Sequence, residues 1–404
     1  GDHLAFITLC PCIVLILHAS ASPLTVFVIL HFYYTCTCIP EANELNMKYL
    51  HTDETMEYRP SIRRPRRRAI SRFSPPIRLL PLGLAALALS LFVLLLRGCA
   101  ITREETGVPG ALPEDISAVI AVYDDENDRV LSMRLEEYLC GVVAAEMPAS
   151  FEEEALKAQA VAARTFTLRR LPACGGTPCG RCGADVCTDS ACCQSYRSAE
   201  QLASKWGADA AYYSARVEEA VYSTAGEVAT YEGALIEALY HSTAGGMTES
   251  SENVFASAQP YLVSVESPGE EGSAHYRDSI TFPRKSFITK LNAAFPRAEL
   301  SAKKLEVQVE ITARFASGRV KTVRLGKVEV TGRQFRKALD LPSANFTIEF
   351  VGEDVRVSTK GYGHGVGMSQ YGANAMAKEG SDYRAILQHY YTGISIENWG
   401  ERLK

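Results

Sequence analysis

The first 46 residues contain no lysine, no arginine and no methionine, and two cysteine pairs, Cys10/Cys12 and Cys36/Cys38, interrupt their apolar stretches. With Gly1 ahead of them and Met47 and Met56 as the first methionines, residues 1–46 read as an extension foreign to the protein. An additional membrane segment is the alternative. Other absences narrow the chemistry. No G-x-S-x-G is present, which removes the nucleophile elbow of a serine hydrolase. No H-E-x-x-H or comparable histidine pair is present either, which ranks a zinc hydrolase last. Residues 98–404 show no internal repeat and no low-complexity tract. They also lack a basic surplus. Residues 1–97 hold 10 Lys and Arg against 6 Asp and Glu, so the whole-chain charge of −5 leaves −9 for the remainder. That balance argues against nucleic acid as a partner.

What is present begins with an arginine cluster (Arg63, Arg64, Arg66, Arg67, Arg68, Arg72 and Arg78) ahead of Leu79–Leu96, an uncharged apolar run ended by Arg97. At 1.5 Å rise per residue this run spans about 27 Å, close to a bilayer core. The expectation is a basic cytoplasmic segment over 47–78, one transmembrane helix over 79–96 and a Gly/Pro-containing linker over 97–114. Residues from Cys99 onward then lie on the outer face of the cell membrane. Topology explains the arginines better than nucleic acid does.

Residues 115–404 alternate helical and strand patterns. Ser117–Tyr123 and Arg129–Met133 flank an acidic turn and predict a hairpin. Leu135–Ala145 is helical and stops before Pro148. Ser150 and Glu153 form a capping-box pattern that opens a long helix through about Arg170. Ser198–Thr224 returns to helix and strand, and Val228–Tyr240 predicts a hairpin turning at Glu232–Gly233. Between about 280 and 357 alternating segments, a Ser317–Gly318 turn and a short helix over Gly332–Leu341 predict an inserted β-rich subdomain. The fold class is α+β: a mixed helical and strand catalytic core carrying that insertion, behind a single N-terminal transmembrane helix.

Four segments carry candidate chemistry. In LEEYLCGVVAAEMP (Leu135–Pro148) the acidic Glu146 follows an apolar run where the helix breaks. Burial there would raise its pKa and suit a general acid, whereas a solvated helix-end glutamate would be inert. YHSTAGG (Tyr240–Gly246) is either a plain turn or a substrate-binding one. His241 and Ser242 cannot pair locally, since neighbours in a strand face opposite ways. Cys174–Cys193 holds six cysteines, a spacing open to disulfides or to tetrahedral zinc. STKGYGHGVGMSQYG (Ser358–Gly372) has five glycines and too few side chains to fill a core, so it predicts close backbone approach and delivery of polar groups to a helix N-terminus.

Together these segments, with ADVCTDSACCQSY (Ala184–Tyr196), YHSTAGGMTESSENVF (Tyr240–Phe255), PYLVSVESPGE (Pro260–Glu270) and GYGHGVGMSQYGA (Gly361–Ala373), resemble the stage II sporulation protein D family, also called SpoIID/LytB. The resemblance covers about Ser117 to Trp399. It implies a membrane-anchored lytic transglycosylase that cleaves peptidoglycan glycan strands stripped of stem peptides, leaving 1,6-anhydro-MurNAc ends. It implies work beside a stage II sporulation protein P-like amidase in the engulfment membrane complex, in the space between mother-cell and forespore membranes. The family's catalytic acid falls on Glu146 and a functional arginine on Arg164, with His241, Ser242, Gln370 and Tyr371 as candidates for the groove wall. Some members bind zinc through one His and two Cys. Here Cys187 and Cys193 match the cysteines, and the histidine position falls at or near Cys182, so a structural zinc is expected on Cys182, Cys187 and Cys193 if a metal binds. The reading from another class is a non-catalytic peptidoglycan-binding enhancer of a cell-wall amidase.

Overall fold

The computed structural model describes residues 118–255 and 257–399, with the backbone of two short antiparallel strands, β1 (Leu4–Thr8) and β2 (Val14–His18), in a unit of their own. The expected cytoplasmic segment, transmembrane helix and linker lie outside the described residues. Among the described residues no helix is long and apolar enough to cross a membrane.

The expected first hairpin forms from β3 (Val119–Asp124) and β4 (Arg129–Arg134). Helix α1 (Leu135–Glu146) follows at once and buries Leu135, Tyr138, Leu139, Val142 and Val143, one stripe at helical spacing. It ends where Met147 turns extended ahead of Pro148, as the residue before a proline prefers. Helix α2 (Glu153–Leu168) is the spine. Nearly every residue is buried, and its alanines (Ala155, Ala158, Ala160, Ala162, Ala163) let neighbouring elements approach from all sides. The Ser150 capping box does not form: Glu152 is the N-cap, and its N–H donates to Asn374 Oδ1 at 2.8 Å. A tertiary acceptor has replaced the local one.

Strand β5 (Val186–Cys187), inside the cysteine loop, joins β3 in parallel. The next stretch is two helices, α3 (Ala199–Trp206) and α4 (Ala210–Tyr222), rather than helix and strand. β6 (Glu227–Tyr231) and β7 (Ala234–Leu235) form the expected hairpin, with Glu232 and Gly233 both at positive φ (52° and 78°) as a tight turn of this hand requires. β8 (Tyr240–His241), β9 (Gly246–Met247) and β10 (Glu266–Ser267) are short strands of the connecting loops.

Residues from Phe282 to Val357 pack about a second hydrophobic cluster. It is built from a sheet of β11 (Arg277–Pro283), β16 (Asp354–Lys360) and β15 (Phe346–Val351), helix α5 (Arg284–Ala294), and a sheet of β12 (Val309–Arg314), β13 (Val320–Leu325) and β14 (Val328–Thr331). Helix α6 (Gly332–Leu339) opens with a Thr331/Gln334 capping box and packs Phe335 on Phe346 at 4.9 Å. The chain then returns through the glycine-rich loop to β17 (Met368–Ser369), α7 (Gln370–Lys378), α8 (Tyr383–Tyr390) and β18 (Ser395–Asn398). Helices α1, α4, α7 and α8 and strand β6 all pack on α2. The described fold is therefore mixed α and β with several small sheets.

Candidate functional site

Glu146 is the last residue of α1, half-buried, and its Oε1 accepts the Ser195 N–H at 2.6 Å. Burial raises its pKa above the usual carboxylate value, partly opposed by hydrogen bonds from the Ser195 backbone and hydroxyl and from Gln370. The open carbonyls at the helix C-terminus act in the same direction as burial, because they disfavour a negative charge there. Among the described residues, no carboxylate contributes to that shift. One of its oxygens is held by a backbone donor, and the side chains of Ser195 and Gln370 also donate to the carboxyl.

Gln370 is buried at the first turn of α7, 3.4 Å from Gln159 Oε1 on α2. Tyr371 stands edge-on to Phe151 at 5.0 Å, and its N–H donates to the Ser242 carbonyl at 3.0 Å. Ser242 is half-buried, with its hydroxyl 3.3 Å from that of Thr243. Tyr240 donates to Gln194 Oε1 at 2.7 Å, one residue from Ser195. Of the residues singled out in the sequence, Glu146, Gln370, Tyr371 and Ser242 are thus brought together by α1, α7 and the β8 turn.

Two of the expected site residues, the functional arginine and one groove-wall candidate, are packed inside the protein instead. Arg164 has no exposure. Its Nη2 and Nε bind Glu136 at 2.6 and 2.9 Å, Nη2 also donates to Val221 O, and Nη1 donates to Glu227 O at 3.1 Å. Every side of this guanidinium meets protein, and it ties α2 to α1 and α4. His241 is also buried, its Nδ1 against Val366 O at 3.1 Å and its ring 5.6 Å from that of His364. Burial, then the nearby His364 and Arg319, push its pKa well below the ordinary histidine range. It is a neutral packing histidine, not a groove wall or the base of Ser242.

The YHSTAGG turn owes its composition to a buried carboxylate that the sequence reading did not single out. Glu270 accepts the N–H groups of Ala244, Gly245 and Gly246 at 3.0, 2.7 and 3.1 Å, with the hydroxyls of Ser267 and Ser369 completing its shell. Ser369 is also the N-cap of α7. Since β17 pairs in parallel with β8, Glu270 fixes the start of α7 and hence Gln370 beside Glu146. Arg319, from the turn between β12 and β13, bonds Met247 O and Ala244 O from the other side, and any Cβ at Gly365 would run into its guanidinium. That close approach is what the loop's glycine permits. The polar run in PYLVSVESPGE was the one available hint of Glu270.

In the cysteine loop, Cys179, Cys187, Cys192 and Cys193 bring their sulfurs within 4.8 Å of one another. All seven described cysteines are free thiols. Cys182 is exposed, at φ 47°, and outside this group, so Cys179 and Cys192 replace it in the expected ligand set. The Cys192–Cys193 sulfur separation of 3.9 Å matches the edge of about 3.8 Å that a tetrahedron with 2.3 Å Zn–S bonds requires. The Cys187 N–H points at Cys193 Sγ at 3.4 Å, the kind of donor that supports a bound thiolate. Cys179 is the most thiolate-prone member, because Cys187 and Cys193 donate to it. Four soft ligands of this geometry can hold a metal ion in a closed site. The same loop ends at Ser195, so that staple would also fix the donor to Glu146.

Comparison with known proteins agrees with this layout. A family model described as "SpoIID: Stage II sporulation protein" matches residues 123–231, which include Glu146, Arg164 and the four-cysteine cluster. Stage II sporulation protein D of Bacillus amyloliquefaciens is 37% identical over 294 residues, covering 73% of this chain and 83% of the relative. That of Bacillus subtilis is 38% identical over 306 residues, covering 74% and 87%. A more distant relative, the amidase enhancer of Bacillus subtilis, is 28% identical over 308 residues, covering 65% of this chain and 40% of that protein.

Proposed function

The chain belongs to the stage II sporulation protein D family, and from that premise we propose that it is a lytic transglycosylase acting on the glycan strands of peptidoglycan during sporulation. One observation carries the reading. Glu146 is a half-buried carboxyl with a raised pKa, one oxygen held by Ser195, and among the described residues no carboxylate contributes to that shift. Hydrolysing glycosidases need two carboxylates across the scissile bond, one of them to activate water or attack the sugar. A transglycosylase needs one. Protonated Glu146 gives its proton to the glycosidic oxygen as the C1–O bond breaks. The resulting carboxylate then takes the proton of the same sugar's C6 hydroxyl as that oxygen bonds to C1, giving a 1,6-anhydro ring and restoring the acid. Burial and the helix end keep the proton on Glu146 at a higher pH than a solvated glutamate allows. Gln370, Ser242 and Tyr371 are the groups beside it for positioning the sugars.

A zinc ion on Cys179, Cys187, Cys192 and Cys193 would supply a structural crosslink, not chemistry. The stripped-strand preference, the amidase partner and the outer-face location behind a membrane anchor belong to the same proposal. They rest on the family and on the apolar run at 79–96.

The test is mass spectrometry of amidase-treated peptidoglycan incubated with the wild-type chain or with Glu146→Gln. Anhydro-muramic ends from wild type alone are expected, with a rate loss for the variant of at least 10²-fold. Reducing ends would mean that water attacks, and the mechanism would be wrong. The distant amidase enhancer favours a second reading, a binding module that stimulates an amidase without cleaving glycan. Absence of any cleavage together with retained strand binding would favour it.

A further inference from the structure

We propose that the cavity between the C-terminal end of α2, the cysteine loop and the β6–β7 hairpin is a second saccharide site, which takes a carboxylate-bearing sugar unit. The inference rests on the glycan-cleaving reading and extends it to a place outside the Glu146 cluster. The cavity measures about 520 Å³, within the span of ordinary ligand sites, and Phe166, Arg169, Arg170, Glu237 and Trp399 supply its side-chain chemistry. The guanidinium of Arg170 lies over the Phe166 ring at 4.4 Å, which holds its plane. Its Nη2 reaches Cys192 O at 3.4 Å, while its Nε is buried and has no partner among the described residues. Arg169 is exposed, and its Nη1 donates to Leu235 O at 3.3 Å. Neither arginine has an ion-pair partner among the described residues.

Two guanidinia with no ion-pair partner among the described residues in one concavity are unusual in a segment that carries a net charge of −9 (the whole-chain −5 less the +4 of residues 1–97), and they outnumber the one carboxylate of the lining, Glu237. Their planar donors fit a carboxylate, and the indole of Trp399 supplies apolar surface for the ring that bears it. A muramic acid unit freed of its peptide is such a ligand, because its lactyl group ends in a carboxylate. The position suits the same strand. Arg170 touches Cys192 and Glu146 touches Ser195, so the two side chains lie within about 16 Å of each other by chain reach alone. Arg170 also faces the cluster thiols Cys179 and Cys193, so Arg169 is the cleaner residue to change.

The experiment is calorimetric titration of the full chain carrying Glu146→Gln, with and without Arg169→Gln. The ligands are amidase-stripped strands, the same strands with their lactyl carboxyls amidated, and free stem peptide. The expected result is about tenfold weaker binding of stripped strands when Arg169 is lost, the size of one charge-assisted hydrogen bond. Amidated strands should bind both proteins alike. Trp399→Ala should weaken stripped and amidated strands together, and melting curves establish that each variant is folded. Equal affinity of stripped strands with and without Arg169 overturns the proposal. So does Arg169-dependent binding of stem peptide alone, or absence of strand binding in every form. The two readings separate cleanly. Cleavage by wild type with no Arg169 effect on binding sinks the second site alone, whereas Arg169-dependent binding with no cleavage by wild type sinks the transglycosylase alone.

Discussion

Replacing Arg164 with methionine removes the cation that pairs with Glu136, at a place where the arginine has no exposure and the glutamate is 4% exposed. Breaking a buried pair from one side costs about 3–5 kcal/mol, because the remaining charge is left in a low dielectric. The carbonyls of Val221 and Glu227 lose their donors as well, which puts this site at the upper part of that range. At roughly 2–4 °C per kcal/mol, a domain of this size should melt about 10 °C lower or more. Pairing Arg164→Met with Glu136→Leu removes both charges and should recover more than half of the loss. Denaturant unfolding of the four proteins gives the coupling energy, and glycan cleavage is read in parallel at a temperature where all are folded. If the arginine only ties helices together, activity follows the folded fraction, and the double variant regains both. An Arg164→Met protein that unfolds within about 1 kcal/mol of wild type yet cleaves nothing would refute the argument, since the guanidinium would then have to reach substrate.

Cys193→Ser should abolish stoichiometric metal binding, read as zinc per chain by mass spectrometry, and lower the melting temperature. Wild type that carries no zinc after purification and takes up none when it is supplied would remove the metal from the proposal. Glu270→Ala leaves three N–H groups without their acceptor and removes one acceptor from the Ser267 and Ser369 hydroxyls, and should cost at least about 3 kcal/mol, with loss of cleavage because Gln370 is no longer held. A loss below about 1 kcal/mol in denaturant unfolding would contradict the shell described for it. His364 titrates near 3 because burial, and then Arg336, oppose its charge. The folded protein thus binds that proton less readily than the unfolded chain does. Its contribution to stability is complete above the ordinary histidine pKa of about 6.5 and is lost as pH falls toward 3. His364→Gln should therefore flatten the decline of unfolding free energy below pH 6 by up to about 1.4 kcal/mol per pH unit, and an unchanged slope would mean the ring is hydrated.

Much of the local structure was legible in the residues. The apolar stripe of Leu135–Val143 and the proline at 148 bound α1, the Glu232–Gly233 pair marks the β6–β7 turn, and Glu146 stands out as an acid at a helix end after an apolar run. These features depend on side-chain periodicity, on the lost N–H of proline and on positive φ, all of which act within a few residues. Which partners the acid, the arginine and the cysteines meet was decided over much longer separations. Glu136 meets Arg164 across 28 residues, Ser195 meets Glu146 across 49, and Glu270 meets Ser369 across 99. Each such partner depends on how α1, α2 and α7 stack, not on any motif. The Ser150 capping box failed for the same reason, with Asn374, 222 residues from Glu152, supplying the acceptor instead. Cys182 has the spacing of a ligand, but its backbone at φ 47° leaves it exposed and outside the cluster, and Cys179 takes its place. Spacing sets which residues can reach a site, and only the packed chain decides which of them turn inward.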